Sequence, residues 1–199
     1  MGRYDLDIGD RDPPGLAKAI RERDPETISE VVRAYLPQIL RAAAGAGLEG
    51  QLAEDVAQST FLTFLETAHR FEGRSRVRTW LFGILYRKTA EARRKAGREQ
   101  ATEDLDAIFE QRFDANGSWI QPPRPVDSEL YASEVRREID GCLETVPARQ
   151  RMAFVLREVE ELGTEEICKI LDVTRTNLGV ILHRARTRLR ECLEAKGLR

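Results

Sequence analysis

The chain has little of what metal-binding, disulfide-stapled or membrane proteins need. Of 199 residues only Cys142, Cys168 and Cys192 are cysteine, an odd number at wide spacing with no CxxC pair. Only His69 and His183 are histidine. No familiar zinc-ligand pattern can be written from these residues. The cysteines are therefore expected to be reduced and to act as small hydrophobes. No apolar run approaches the roughly 18–20 residues of a membrane span, and the opening MGRYDLDIGD lacks the apolar centre of a signal peptide. Membrane insertion is not expected, and the cytoplasm is the expected compartment. Strand-like alternation and any repeat at roughly 20–50 residues are also missing.

What is present is charge, and it is segregated. The formal net charge is −2, with 33% charged residues and 41% apolar ones. That mixture suits small helical units with much surface. Arg70–Arg98 carries ten Lys/Arg against two Glu, and Arg175–Arg199 carries seven against two. The islands are thus +8 and +5, which leaves −15 for the rest of the chain. One basic island alone is as readily a solvated helix face as a binding surface. Two islands in an acidic chain favour two separate polyanion contacts.

Helical periodicity dominates. Ile28, Val31, Val32, Tyr35, Leu36, Ile39, Leu40 and Ala43 recur at i, i+3, i+4, with Pro37 inside the run and expected to kink or divide it. A second helix is predicted from about Leu52 to Ala68, and a third from about Val77 to Gly97. Between residues 99 and 129 periodicity fails. Eight Asp/Glu face two Arg there, with Asn116-Gly117 and a proline cluster at Pro122, Pro123 and Pro125. This reads as an acidic flexible linker. Helices resume near Ser128, a candidate N-cap. Pro147 suits the first turn of the next helix, Gly163 stops it, Thr164 is expected to cap the following helix and Thr174 the last. The fold class is all-α, with two small helical domains. Residues 1–23 are a tail, 24–98 the first domain, 99–127 the linker and 128–199 the second domain.

The most specific local signal is Glu165–Arg190, two helical patterns joined at Asp172-Val173-Thr174 with the second strongly basic. This is a helix-turn-helix of the kind that places its second helix in a DNA major groove. Leu178, Ile181, Leu182, Ala185 and Leu189 form its inner stripe and are expected to pack on Ile167, Leu171 and Val173. The outer side presents Thr176, Asn177, Val180, His183, Arg184 and Thr187, flanked by Arg175, Arg186 and Arg190. Asn and Arg can pair bidentately with base edges, Val180 can touch a thymine methyl, and flanking arginines suit phosphates. For His183 an ordinary solvent-facing histidine is an equal reading.

Two sets of segments resemble the extracytoplasmic-function (ECF) sigma factors of the sigma-70 family. Toward the carboxyl end they are Leu143-Glu144-Thr145-Val146-Pro147, Leu156-Arg157-Glu158-Val159, Glu165-Glu166-Ile167 and Leu182-His183-Arg184-Ala185-Arg186. These resemble region 4, which reads the −35 element. Toward the amino end they are Tyr35-Leu36-Pro37, the run from Ala53 to Phe61, Arg70-Phe71 and Arg78-Thr79-Trp80-Leu81. These resemble region 2, which binds polymerase and opens the −10 element.

The resemblance implies roles that spacing does not. Glu54, Asp55, Gln58 and Ser59 match the helix that docks on the clamp helices of the largest polymerase subunit. Region 4 would meet the polymerase flap. Residues 73–79 match the loop that captures a flipped −10 base. Arg74, Arg76 and Arg78 would contact phosphates there, and Ser75 or Thr79 would bond the base. Trp80 is either a stacking platform for single-stranded DNA or a core tryptophan, which its register with Leu81 and Ile84 favours. Arg87, Lys88, Arg93, Arg94 and Lys95 would extend the basic face. An anti-sigma protein is an implied partner, no cofactor is implied, and no covalent chemistry is required. The long linker would let the lobes fold on each other when inhibited and separate on polymerase.

Three positions depart from the family pattern. Asp172 stands where Gly is frequent, and Asp tolerates the left-handed conformation of a turn. Cys168 stands where Ala is usual. Gly179-Val180 replaces a basic residue and Ser on the reading face, so no −35 sequence carries over. Two rival readings need other features. A dimeric helix-turn-helix regulator needs a dimer surface. A nucleic-acid-processing enzyme needs a metal or base cluster, for which Asp104, Asp106 and Glu110 are the only dense carboxylates.

Overall fold

Local chain chemistry explains where several of the helices begin. The structure, a computed structural model, describes residues 13–95, 97 and 138–198. The expected N-cap Ser128 and the carboxylates Asp104, Asp106 and Glu110 lie outside these. All regular secondary structure among the described residues is helical. Helix α1 (Leu16–Arg21) lies within the stretch read as a tail, yet Leu16 and Ile20 are fully buried. Helix α2 (Pro25–Gly45) starts where the Asp24 carboxylate accepts from the Thr27 N–H at 2.9 Å, with Pro25 in the first turn. It runs unbroken through Pro37, so the expected division does not occur. Tyr35, Ile39, Ala42 and Ala43 are buried on either side of that proline, and this packing outweighs its lost hydrogen bond.

Helix α3 (Gln51–Thr67) buries Val56, Thr60, Phe61 and Phe64. Helix α4 (Val77–Lys95) buries Val77, Thr79, Leu81, Phe82, Ile84 and Leu85 against it. The Trp80 ring stacks on Phe71 at 4.8 Å between centroids and meets Phe64 edge-on at 5.4 Å. Phe64 itself is 0% exposed, and burial of such a side chain contributes about 1.5–3 kcal/mol.

The second lobe begins with a helical stretch at 138–145, here α5. Helix α6 (Ala148–Phe154) follows Pro147, which is its N-cap. It continues into a wider turn, Val155–Val159, closed by the Glu160 N–H donating to the Val155 carbonyl at 3.0 Å. Helix α7 (Thr164–Leu171) is capped by Gly163 and not by Thr164. The Gly163 N–H donates to Glu166 Oε2 at 3.1 Å, while the Thr164 hydroxyl accepts from Arg157 at 2.6 Å. Asp172 adopts the left-handed conformation, φ 52° and ψ 61°. Helix α8 (Arg175–Ala195) is capped by Thr174, whose hydroxyl accepts from the Asn177 N–H at 3.2 Å.

Cysteine departs from expectation. Cys142 on α5 and Cys192 near the end of α8 form a disulfide, with Cα atoms 5.6 Å apart, and Cys168 alone is free. The two helices lie side by side over a satellite core of Leu143 and Leu189, a proximity that a 50-residue separation conceals.

The two lobes pack on each other. One continuous apolar core runs from Leu16 in α1 to Leu182 in α8. α4 rests on α7, and Gly45 at the end of α2 faces Val155 so closely that a Cβ there would lie 2.9 Å from Val155 Cγ2. A groove of about 920 Å³ lies beside this contact, lined by residues of both lobes including Leu48, Ile139, Phe154 and Val159.

Candidate nucleic-acid interface

The inner stripe of α8 is buried as its spacing predicts. Leu178, Ile181, Leu182, Ala185 and Leu189 are buried; the first three share a core with Ile167 and Leu171 of α7, with Val173 packed against it, while Leu189 lies in the satellite core. Helical spacing therefore turns Arg175, Thr176 and Asn177 to solvent, with Gly179 exposed beside them. Val180, His183, Arg184 and Arg186 are half-buried. Nothing lies within 4 Å of a Cβ built on Gly179, so that position is an open gap in the outer face.

Charge on this helix is partly tied down. Arg186 Nη2 donates to Glu158 Oε1 at 2.6 Å, and Arg175 pairs with Glu165. Both pairs are solvent-exposed, contribute little to stability and exchange readily for a phosphate. Burial, then the neighbouring Arg186 and Arg184, hold the His183 imidazole below its ordinary pKa, which favours the neutral ring.

The amino end of α4 is arranged differently. Arg74 is exposed and pairs with Glu72 at 2.9 Å. Ser75 and Arg76 are half-buried in the turn that Gly73 opens with φ +71°. Arg78 turns toward the other lobe. Its Nη2 donates to the Glu160 carbonyl at 2.6 Å and lies 3.5 Å from Glu160 Oε2, with the guanidinium 5.7 Å from the Phe82 ring centroid. The Thr79 hydroxyl donates to Glu166 Oε1 at 2.7 Å, and the residue is 5% exposed. Trp80 has its ring engaged with Phe64 and Phe71. Farther along, Arg87 is exposed, and Lys88 and Lys95 both pair with Glu91. Arg93 does not join an outer basic face: it donates to the Ala46 carbonyl at the end of α2. Arg151 lies close by, and burial, followed by the Arg93 charge, lowers its pKa to about 10.

The third face is on α3. Gln51, Glu54, Asp55, Gln58 and Leu62 are exposed along one side, and Ser59 is half-buried beside them. Gln51 donates to Asp55 Oδ1 at 2.9 Å. Leu62, 53% exposed, continues this face and was not anticipated; its place one helical turn beyond Gln58 was the available signal.

One chain thus carries a helix-turn-helix whose second helix is basic, and a four-helix unit, α1 to α4, with an exposed polar side on α3. Sigma-70 region 2 matches residues 31–99, and sigma-70 region 4 matches residues 136–189. The chain is 31% identical over 185 residues to the ECF RNA polymerase sigma factor SigD of Mycobacterium tuberculosis, covering 92% of this chain and 81% of that one. The chain belongs to the ECF sigma factors of the sigma-70 family.

Other relatives agree. A probable RNA polymerase sigma factor of Haemophilus influenzae is 34% identical over 158 residues, 74% of this chain and 80% of that one. The sigma factor RpoE of Bartonella quintana, solved in complex with the anti-sigma factor NepR, superposes with a TM-score of 0.61 at 25% identity, over 83% of this chain and 96% of that one. CnrH, solved with the cytosolic domain of CnrY, has a TM-score of 0.65 at 19% identity, over 90% and 96%, a likeness of fold alone. As an ECF sigma factor the protein directs RNA polymerase to promoters, as a non-catalytic subunit of the enzyme. No helix among the described residues is long and apolar enough to cross a membrane.

Proposed function

We propose that this sigma factor holds promoters at two points. Arg175, Thr176, Asn177, Val180, His183, Arg184 and Arg186 of α8 meet the −35 duplex. Asn177 and Arg184 carry the base-edge hydrogen bonds, and Arg175 and Arg186 exchange their glutamates for phosphates. The amino end of α4 and the turn before it take the displaced −10 strand. There Arg74, Arg76 and Arg78 contact phosphates and Ser75 or Thr79 bonds the captured base. Arg87 and Lys88 extend the contact toward duplex DNA. Trp80 serves this site chiefly by packing on Phe71, which supports the turn from beneath.

Glu54, Asp55, Gln58 and Ser59 dock on the clamp helices of the largest polymerase subunit, and region 4 meets the flap. The observation that carries this reading is the exposed side of α3, which holds ionised and amide groups with no structural task in their own lobe beyond the Gln51–Asp55 bond. Free energy for opening comes from phosphate contacts and base capture, set against unstacking of a few kcal/mol. The protein works in the cytoplasm with its polymerase. An anti-sigma protein is its regulator, a reading supported by the complex with the anti-sigma factor NepR in which RpoE of Bartonella quintana was solved. Run-off transcription with purified core polymerase on a genomic promoter library tests the function: discrete transcripts that depend on the added sigma factor are expected, and their absence contradicts it.

A further inference from the structure

Among the described residues, the polar contacts that meet at Glu160 and Glu166 cross the lobes in one direction. Arg41, Arg78 and Thr79 of the first lobe donate; Glu160 and Glu166 of the second accept. Arg41 grips Glu160 with Nε on Oε1 and Nη2 on Oε2, both at 3.3 Å, across 119 residues of sequence. The Glu160 side chain is 1% exposed, so its charge has these arginines in place of water. Acidic groups of region 4 therefore stand against Arg78 and Thr79, the residues assigned above to a polyanion.

We propose that Glu160 is an internal latch. By holding Arg41 and Arg78 it keeps the lobes closed, and it withholds Arg78 and Thr79 from the −10 strand until the lobes separate. This rests on the assignment of those two residues to the −10 strand. A buried ion pair contributes little net stability, because desolvation offsets its attraction. When the lobes part, Glu160 and Arg78 regain water, which offsets part of the cost of exposing the apolar core that the lobes share. The −10 strand offsets a further part, since it binds the open form alone and draws the equilibrium toward that form.

The test uses the full chain and two unrelated lesions. Arg41→Ala removes one partner of Glu160 from a residue whose side chain is 54% exposed and outside the DNA and polymerase faces. Gly45→Leu places a side chain against Val155 and wedges the lobes apart without touching a charge. Small-angle X-ray scattering reads the separation, and a fluorescent mixed-sequence single-stranded DNA reads access to the site. Both variants, with unchanged helicity, are expected to enlarge the radius of gyration and tighten single-strand binding roughly tenfold, as for release of a site open in about a tenth of molecules. Adding Arg78→Ala should remove that gain. Unchanged scattering in both folded variants would overturn the latch. Opening without tighter binding would overturn the DNA half of the proposal and the assignment of Arg78 and Thr79, leaving the closed contact itself standing.

Discussion

The amino end of α8 stands open to solvent, whereas the amino end of α4 is covered by the other lobe. The Arg175 side chain is 75% exposed, the Arg78 side chain 19%. Both carry arginines paired with glutamates of region 4, but one pair lies in water and the other in a core. For the two promoter contacts proposed above, the difference implies an order: duplex reading by α8 would need only the exchange of surface partners, while strand capture by α4 would need the lobes to separate.

The strongest way to perturb the open half is to loosen what supports it. Reduction of Cys142–Cys192 removes the tie between α5 and α8 and should lower the stability of region 4 by about 2–4 kcal/mol. Thermal unfolding with and without dithiothreitol reads this, and equal curves would show that the satellite core suffices. Next in size, Arg184→Ala should weaken −35 duplex binding by the holoenzyme by roughly 1–3 kcal/mol. Unchanged promoter affinity would mean that α8 is not the reader.

The proposed polymerase face offers a smaller effect. Asp55→Ala should weaken association with core polymerase by about 1 kcal/mol or more, with no change in helicity. Equal co-purification with core would remove α3 from the interface. Finally, Gly179→Ala should stabilise the protein by about 1 kcal/mol, because the added methyl meets open space and a helix-interior glycine is replaced. A lower melting temperature would contradict the open geometry of that face.

Much of this contrast was legible in the sequence, and the illegible part has a common cause. Helices α3, α4, α7 and α8 each bury a stripe long enough for periodicity to reveal. Helix α1 offers only Leu16 and Ile20 among charged residues, one helical turn that resembles a tail. Pro37 marks a break that flanking burial overrides. Gly163 takes the cap expected of Thr164 because Glu166 reaches back to its N–H. The proposed −35 and polymerase faces appear as outward sides of amphipathic helices, so a single helix suffices to read them. Glu160 has the composition of a surface residue, and its burial depends on Arg41 and Arg78, which are distant in sequence. The same holds for Cys142 and Cys192. Local pattern carries no information about such pairings.

The most direct test of the two-point grip compares binding to one natural promoter fragment by the sigma factor alone and with core polymerase. The account predicts weak binding alone and strong binding with core, together with opening of the −10 element. Tight, palindromic binding by a dimer without polymerase would contradict it.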